Sequence, residues 1–152
     1  MFYISYFYNI RFFPENLIPM STAMWDPKWF HNYGPETIIF KDKRNVINGV
    51  RADALSPFAL SNQNMCKGRD KCKYKPSNCK FLKEYFEYLS GLDFYMITSN
   101  LEYMANKLIP GSDICLIVYE TPDNECSERQ SIIKWFNANG VELPEWNKDL
   151  LK

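Results

Sequence analysis

The chain has 152 residues, 46% apolar and 16% aromatic, enough for one domain with a core and too apolar for a disordered chain. Its 18 basic and 18 acidic residues cancel, so no global field directs it to DNA, RNA or an acidic membrane, and a nucleic-acid reading must rest on a local patch. No apolar run reaches the ~20 residues that span a bilayer.

The start, Met1 to Tyr8, lacks the basic region and small-residue cleavage site of a signal peptide. Five cysteines, an odd number, fit a reducing compartment better than a disulfide framework. The expectation is an intracellular, cytoplasmic protein with no membrane partner.

Phe2 to Tyr8 alternates imperfectly and is rich in aromatics, as a buried first strand would be. Asn16 to Met20 reads as a second strand, which Pro19, lacking an N–H, places at a sheet edge or strand end. Residues 21–35 hold Pro27, Gly34, Pro35 and two tryptophans and read as an irregular loop, with one helical turn at Pro27 to Phe30. Thr37 to Phe40 is a short strand candidate. Residues 41–78 show little hydrophobic periodicity; a structureless run of that length needs an internal brace or packs as an extended cover.

Phe81, Leu82, Tyr85, Phe86, Tyr88 and Leu89 trace a helix over residues 79–90, capped by Ser77 or Asn78 and stopped by Gly91. Ser99-x-x-Glu102 is a capping box ahead of Leu101, Met104, Ala105 and Leu108, and Pro110-Gly111 ends that helix. Ile114 to Tyr119 is a wholly apolar strand that stops at Glu120. Ser127-x-x-Gln130 is a second capping box, followed by Ile132, Ile133, Trp135 and Phe136 on an apolar face and by Gly140. This order predicts a single α/β domain. Its sheet is mainly parallel and flanked by helices, with a cysteine-bearing insertion at 41–78.

The strand–loop–helix at 114–136 marks the site, because α/β proteins bind ligands at the carboxyl edge of the sheet. Its loop carries Glu120, Asp123, Glu125, Cys126, Ser127, Glu128 and Arg129. Glu120 reads as an acid/base or ligand-orienting group. Cys126, just before a helix N-terminus and near Arg129, is a candidate low-pKa nucleophile. The surrounding carboxylates act against that and no histidine is adjacent, so a small packed thiol at a helix start is the alternative. Ser127 is a nucleophile or a loop residue, and a third reading has the helix N-terminus and Arg129 hold an anion. Opposite, Ser21, Thr22, Trp25, Trp29 and His31 wall a pocket for a planar ligand such as a base, or else the tryptophans and Phe30 pack the loop onto the core.

Cys66, Cys72 and Cys79 form C-x5-C-x6-C in a loop with few apolar residues. Three soft ligands there suit zinc or an iron–sulfur centre as a brace, with Cys126, Cys115 or His31 as a fourth ligand; unliganded reduced thiols are the alternative. Lys67, Arg69, Lys71, Lys73, Lys75 and Lys80 stand against Asp70 and, with Tyr74, form a candidate phosphate-backbone patch. Solvation of an exposed loop, or charge balance for the thiolates, would explain the same lysines.

The stretch Glu120-Thr121-Pro122-Asp123-Asn124-Glu125-Cys126-Ser127-Glu128-Arg129, with Ile132 to Phe136 after it, resembles the closing signature of the domain-of-unknown-function family 488. That signature is an apolar strand ending in Tyr-Glu, a Pro/Asp loop, Cys-His-Arg, and a helix with a Trp-Leu or Trp-Phe pair. Ile4 to Phe7 resembles the family's opening strand. Ile18 to Ser21 through Pro27 to Phe30 resembles its V-P-I-S … P-K-W-F stretch, and Gly49 to Pro57 its G-L-R … L-A-P. The chain departs at Cys-His-Arg: Cys126-Ser127-Glu128-Arg129 is one residue longer and lacks the histidine, so either Cys126 or Ser127 matches the family cysteine. The resemblance implies a fold and a site location, not a reaction. The expected function is binding of, or action on, an anionic ligand, a nucleotide or nucleic-acid end, between the 21–31 and 120–129 loops. The alternative is a non-catalytic, metal-braced module that binds nucleic acid or protein through its lysine loop.

Overall fold

The apolar run before Glu120 forms β5 (Asp113–Val118), which lies inside the sheet between β1 (Phe2–Tyr6) and β2 (Leu17–Ser21). The computed structural model describes residues 1–32, 47–57, 80–123 and 127–151. With β3 (Phe30–Asn32) and β4 (Ile47–Arg51), the strand order is β1-β5-β2-β4-β3, and every pairing is parallel. The sequence-based expectation of an α/β domain with a parallel sheet holds.

Side chains alternate between the two faces of the sheet. Phe2, Ile4, Ile18, Met20, Ile114, Leu116 and Val118 meet the helices α1 (Lys80–Ser90), α2 (Phe94–Leu108) and α3 (Arg129–Ala138). Phe94, Trp135 and Phe136 close that core edge-to-face, with ring centroids 4.9 to 5.6 Å apart. Each such buried side chain contributes roughly 1.5–3 kcal/mol. On the other face, Leu17, Cys115 and Ile117 lie under Phe7, Ile10, Phe30 and Trp146. No α-helix among the described residues covers that face. A 3-10 helix, Phe7–Phe12, and the loops do so.

Several boundaries differ from the sequence reading, each for a local reason. The first strand ends at Tyr6, and Phe7 and Tyr8 begin the 3-10 helix. The second strand is interior, not at an edge. Pro19 is tolerated because β4 pairs with β2 only from Met20 onward. Ser21 O accepts from Ala52 N–H on the β4 side, so by alternation the nitrogen of Pro19 also faces that side, before the point where β4 begins to pair with β2.

The expected turn at Pro27 to Phe30 is present, closed by Phe30 N–H donating to Pro27 O at 3.0 Å, but Phe30 to Asn32 and Ile47 to Arg51 are strands inside stretches read as irregular. A Cβ on Gly49 would lie 2.2 Å from the Phe30 ring, so only glycine lets that ring cover β4.

The second helix starts at Phe94, a turn and a half before the expected capping box. Asp93 caps it by accepting a hydrogen bond from Met96 N–H at 3.1 Å, and Ser99 lies within the helix. Gly111 and Gly140, at φ of 76° and 78°, follow α2 and α3 as expected. The segment after α3 adds a parallel bridge from Glu145 to Ile4 on the outer side of β1. The strand candidate at Thr37 to Phe40, the helix caps Ser77 and Asn78, the cysteines Cys66, Cys72 and Cys79, and the lysine patch from Lys67 to Lys75 lie outside the described residues. Among the described residues no helix is long and apolar enough to cross a membrane.

Candidate functional site at the carboxyl edge

Because the strands are parallel, β1, β2, β4 and β5 deliver their carboxyl ends to one edge. Tyr6 is level with Val118, and Ser21 with both Ile117 and Arg51. Glu120 therefore follows an interior strand, as the abrupt end of the apolar run predicts. Its side chain is half-buried, and its backbone carbonyl accepts a 2.8 Å hydrogen bond from Arg129 Nη1.

The loop returns into α3 through Ser127, which is fully buried. Its hydroxyl accepts from Arg129 N–H at 3.1 Å and donates over a long 3.5 Å to Glu120 Oε2. Ser127 thus caps the helix start two residues on, rather than through a reciprocal box with Gln130, and Glu128 occupies the N-cap position. Cys126 lies outside the described residues.

Arg129 was expected to serve as a charge partner for a ligand. Its side chain is only 4% exposed and faces the protein: Nε lies 2.7 Å from Glu145 Oε1, and Nη2 donates to Glu145 Oε2 at 3.4 Å. The short Nε contact is an ion pair but is poorly aligned as a hydrogen bond. Burial pushes the Glu145 carboxyl above its usual range, against the pull of Arg129.

Arg51, at the end of β4, is equally committed. It donates from Nε to Asp53 at 2.8 Å, from Nη1 to Asp26 at 2.8 Å and from Nη2 to Ala23 O at 2.6 Å. Burial works to lower its pKa, but the hydrogen bonds to Asp53 and Asp26 outweigh it and raise it. Ser21 donates to the same Asp26 carboxylate.

Glu128 behaves differently. The residue is 7% exposed, and among the described residues nothing hydrogen-bonds or ion-pairs with its carboxyl. Burial raises its pKa well above the ordinary carboxylate range. Repulsion from Glu120 adds to this, while Arg129 and Arg51 draw it partly back. The N-terminus of α3 also favours the carboxylate, but a helix dipole contributes about 0.3–1 kcal/mol, less than the ~1.4 kcal/mol of a single pKa unit. Desolvation wins, and Glu128 holds its proton to higher pH than an exposed glutamate.

The remaining expected ligand residues are placed as follows. Ser21 and Thr22 are fully buried, and Thr22 donates to Ile117 O at 3.0 Å, so both fasten the loop to the sheet. Trp29 packs edge-to-face on Phe7 and Phe30, whereas Trp25 is 68% exposed. His31 lies in β3 and pairs with Asn48 at the outer side of the sheet. The structure thus joins Glu120, Ser127 and Arg129, and adds Glu128, Arg51, Asp26 and Glu145 to them.

The sequence carried a signal for Glu128. It stands four, seven and eight residues before Ile132, Trp135 and Phe136, so it continues the buried stripe of α3 as a carboxylic acid. Arg51, Asp26 and Glu145 meet only through the sheet, and no spacing in the chain announces them. No protein-family model, curated protein or solved structure matches this chain.

Proposed function

We propose that the carboxyl edge is the active site of a small-molecule hydrolase in which Glu128 is the proton donor and Glu120 the companion carboxylate. The observation that carries this reading is the buried Glu128 carboxyl, which has no hydrogen-bond partner among the described residues and lies near a second, half-buried glutamate. A pair of carboxyls in environments that separate their affinities for protons is the arrangement that divides acid from base. In the reaction Glu128 gives its proton to the leaving oxygen or nitrogen as its bond to the substrate breaks. Glu120 takes a proton from the water that forms the new bond. Exchange with solvent then restores both groups.

The guanidinium groups of Arg51 and Arg129 are committed to Asp26, Asp53, Glu145 and backbone carbonyls. That favours a substrate neutral at its reacting end over a phosphate. Kinship with family 488, whose closing signature falls on the Glu120–Arg129 loop, belongs to the same proposal. Zinc at Cys66, Cys72 and Cys79 is a separate proposal, decided by elemental analysis of the purified protein.

The test is a panel of chromogenic glycosides, esters and phosphates assayed with the wild type, Glu128→Gln and Glu120→Gln. Hydrolysis of neutral substrates should fall by about 10²–10⁴ in either variant, the usual range for loss of a general acid or base. Turnover that survives Glu128→Gln, or no turnover on any substrate, overturns the reading.

A further inference from the structure

Three aromatic side chains stand exposed at the carboxyl edge. Tyr8, Tyr119 and Trp25 follow the ends of β1, β5 and β2, which are neighbours in that order, and they are 54%, 48% and 68% exposed. Strands stand about 4.8 Å apart, so the row crosses roughly 10 Å of the edge that carries Glu120. Two of the rings are held from one side. The Arg11 guanidinium lies 4.1 Å from the Tyr8 centroid, and Phe7 packs on Tyr119 with centroids 4.8 Å apart. Each still presents an open side.

A cavity of about 320 Å³ opens beside Tyr8, lined also by Tyr6, Phe12, Pro122 and Trp146. One guanidinium separates it from the acid–base site: Arg129 donates to Glu120 O and pairs with Glu145, which lines the cavity. The polar groups of the lining are mixed in hydrogen-bond sense. Asn9 Nδ2 donates to Ser5 Oγ at 2.9 Å, which leaves its amide oxygen as an acceptor. Asn147 Oδ1 accepts from Asp149 N–H at 2.9 Å, which leaves its amide nitrogen as a donor. The hydroxyls of Tyr6 and Tyr8 do both. The charges cancel, Glu145 and Asp149 against Lys148 and Arg129. A phosphate needs cations in excess, and a flat base needs one fixed edge of donors and acceptors. A sugar ring has an apolar C–H face for an aromatic side chain, and its hydroxyls both donate and accept, so a rim of mixed sense and balanced charge satisfies it.

We infer that the carboxyl edge takes a neutral saccharide chain, with one ring in the cavity and the chain lying along Tyr8, Tyr119 and Trp25. The row of exposed rings on three adjacent strands and the mixed, charge-balanced rim carry the inference. It deepens the hydrolase reading by naming a glycoside as the substrate, and rests on that reading only for bond cleavage. There the bond between the anomeric carbon and the leaving oxygen breaks, and that oxygen takes the Glu128 proton. Water bonds to the anomeric carbon and gives a proton to Glu120.

The experiment titrates the full chain with maltotetraose, cellotetraose, xylotetraose and mannotetraose, each beside its monosaccharide, and with guanosine and tripolyphosphate as competing classes. Amide chemical shifts in NMR are the readout. At least one tetrasaccharide should shift residues 6–12, 119–122 and 145–149 saturably. It should bind at least about tenfold more tightly than its monosaccharide, because it reaches more than one ring. Tyr8→Ala and Trp25→Ala, at exposed positions compatible with folding, should each weaken it about three- to tenfold. The assignment is overturned by the absence of saturable binding of any tetrasaccharide, by guanosine or tripolyphosphate binding as tightly as the best of them, or by affinity unchanged in both alanine variants. Saccharide binding without Glu128-dependent cleavage of glycosides removes the hydrolase reading alone; Glu128-dependent hydrolysis of esters without saccharide binding removes the saccharide assignment alone.

Discussion

At the end of β4 the Arg51 guanidinium is matched donor for acceptor with Asp53, Asp26 and Ala23 O, and it ties the loop after β2 to the strand beside it. At the start of α3, on the same edge of the sheet, the Glu128 carboxyl is buried without a hydrogen bond from any described residue. The Glu128 residue is 7% exposed and the Arg51 side chain 16%. Arg51 is satisfied, so its burial reads as architecture. Glu128 has no matched donor among the described residues, and burial raises its pKa.

Three substitutions test that contrast. The largest effect is expected from Arg51→Met, which leaves the Asp26 carboxylate, 14% exposed, without its cation. Breaking a buried pair from one side costs about 3–5 kcal/mol, and urea unfolding should show a loss in that range. A loss below about 1 kcal/mol would mean that the Arg51 corner is not architectural.

Glu128→Gln should change stability in the other direction. Because the folded state raises the pKa of Glu128, wild-type stability is full at low pH. It declines as pH rises from the ordinary carboxylate range through the raised value, since the unfolded chain ionises first. The glutamine variant escapes that decline. It should match or trail the wild type at acid pH and gain on it as pH rises, seen as diverging urea midpoints. Parallel stability–pH curves would make Glu128 an ordinary carboxylate.

Ser127→Ala is the smallest of the three. It removes the acceptor for Arg129 N–H at the helix start and should cost about 1 kcal/mol in the same unfolding assay. A cost above about 3 kcal/mol would mean that the hydroxyl also holds Glu120 in place through its 3.5 Å contact.

Much of the frame was legible in the chain because its signals are local. The apolar run of β5, the apolar stripes of α1 and α3 and the glycines at 111 and 140 each act within a few residues. Where the reading failed, a distant partner decided. Pro19 argued for an edge strand, and it sits inside the sheet because β4 begins to pair with β2 only one residue further on. Residues 30 to 32 fall in a stretch read as a loop, and they form a strand beside β4, where Gly49 leaves space for the Phe30 ring. The site divides in the same way. Glu120 and the 127–129 turn follow from one strand–loop–helix, whereas the engagement of Arg129 depends on Glu145, which only the return of the chain along β1 brings near. Glu128 lay in plain view on the helical stripe, and the apparent second capping box drew attention to its neighbours instead.

The central claim is that Glu128 keeps its proton to higher pH than an exposed glutamate. Side-chain carboxyl carbon NMR on protein labelled at glutamate, titrated with pH and assigned by the signal missing in Glu128→Gln, reads this directly. The Glu128 resonance should hold the protonated shift after the exposed glutamates have titrated, and should move only at distinctly higher pH. A Glu128 signal that titrates together with the exposed glutamates would contradict the account.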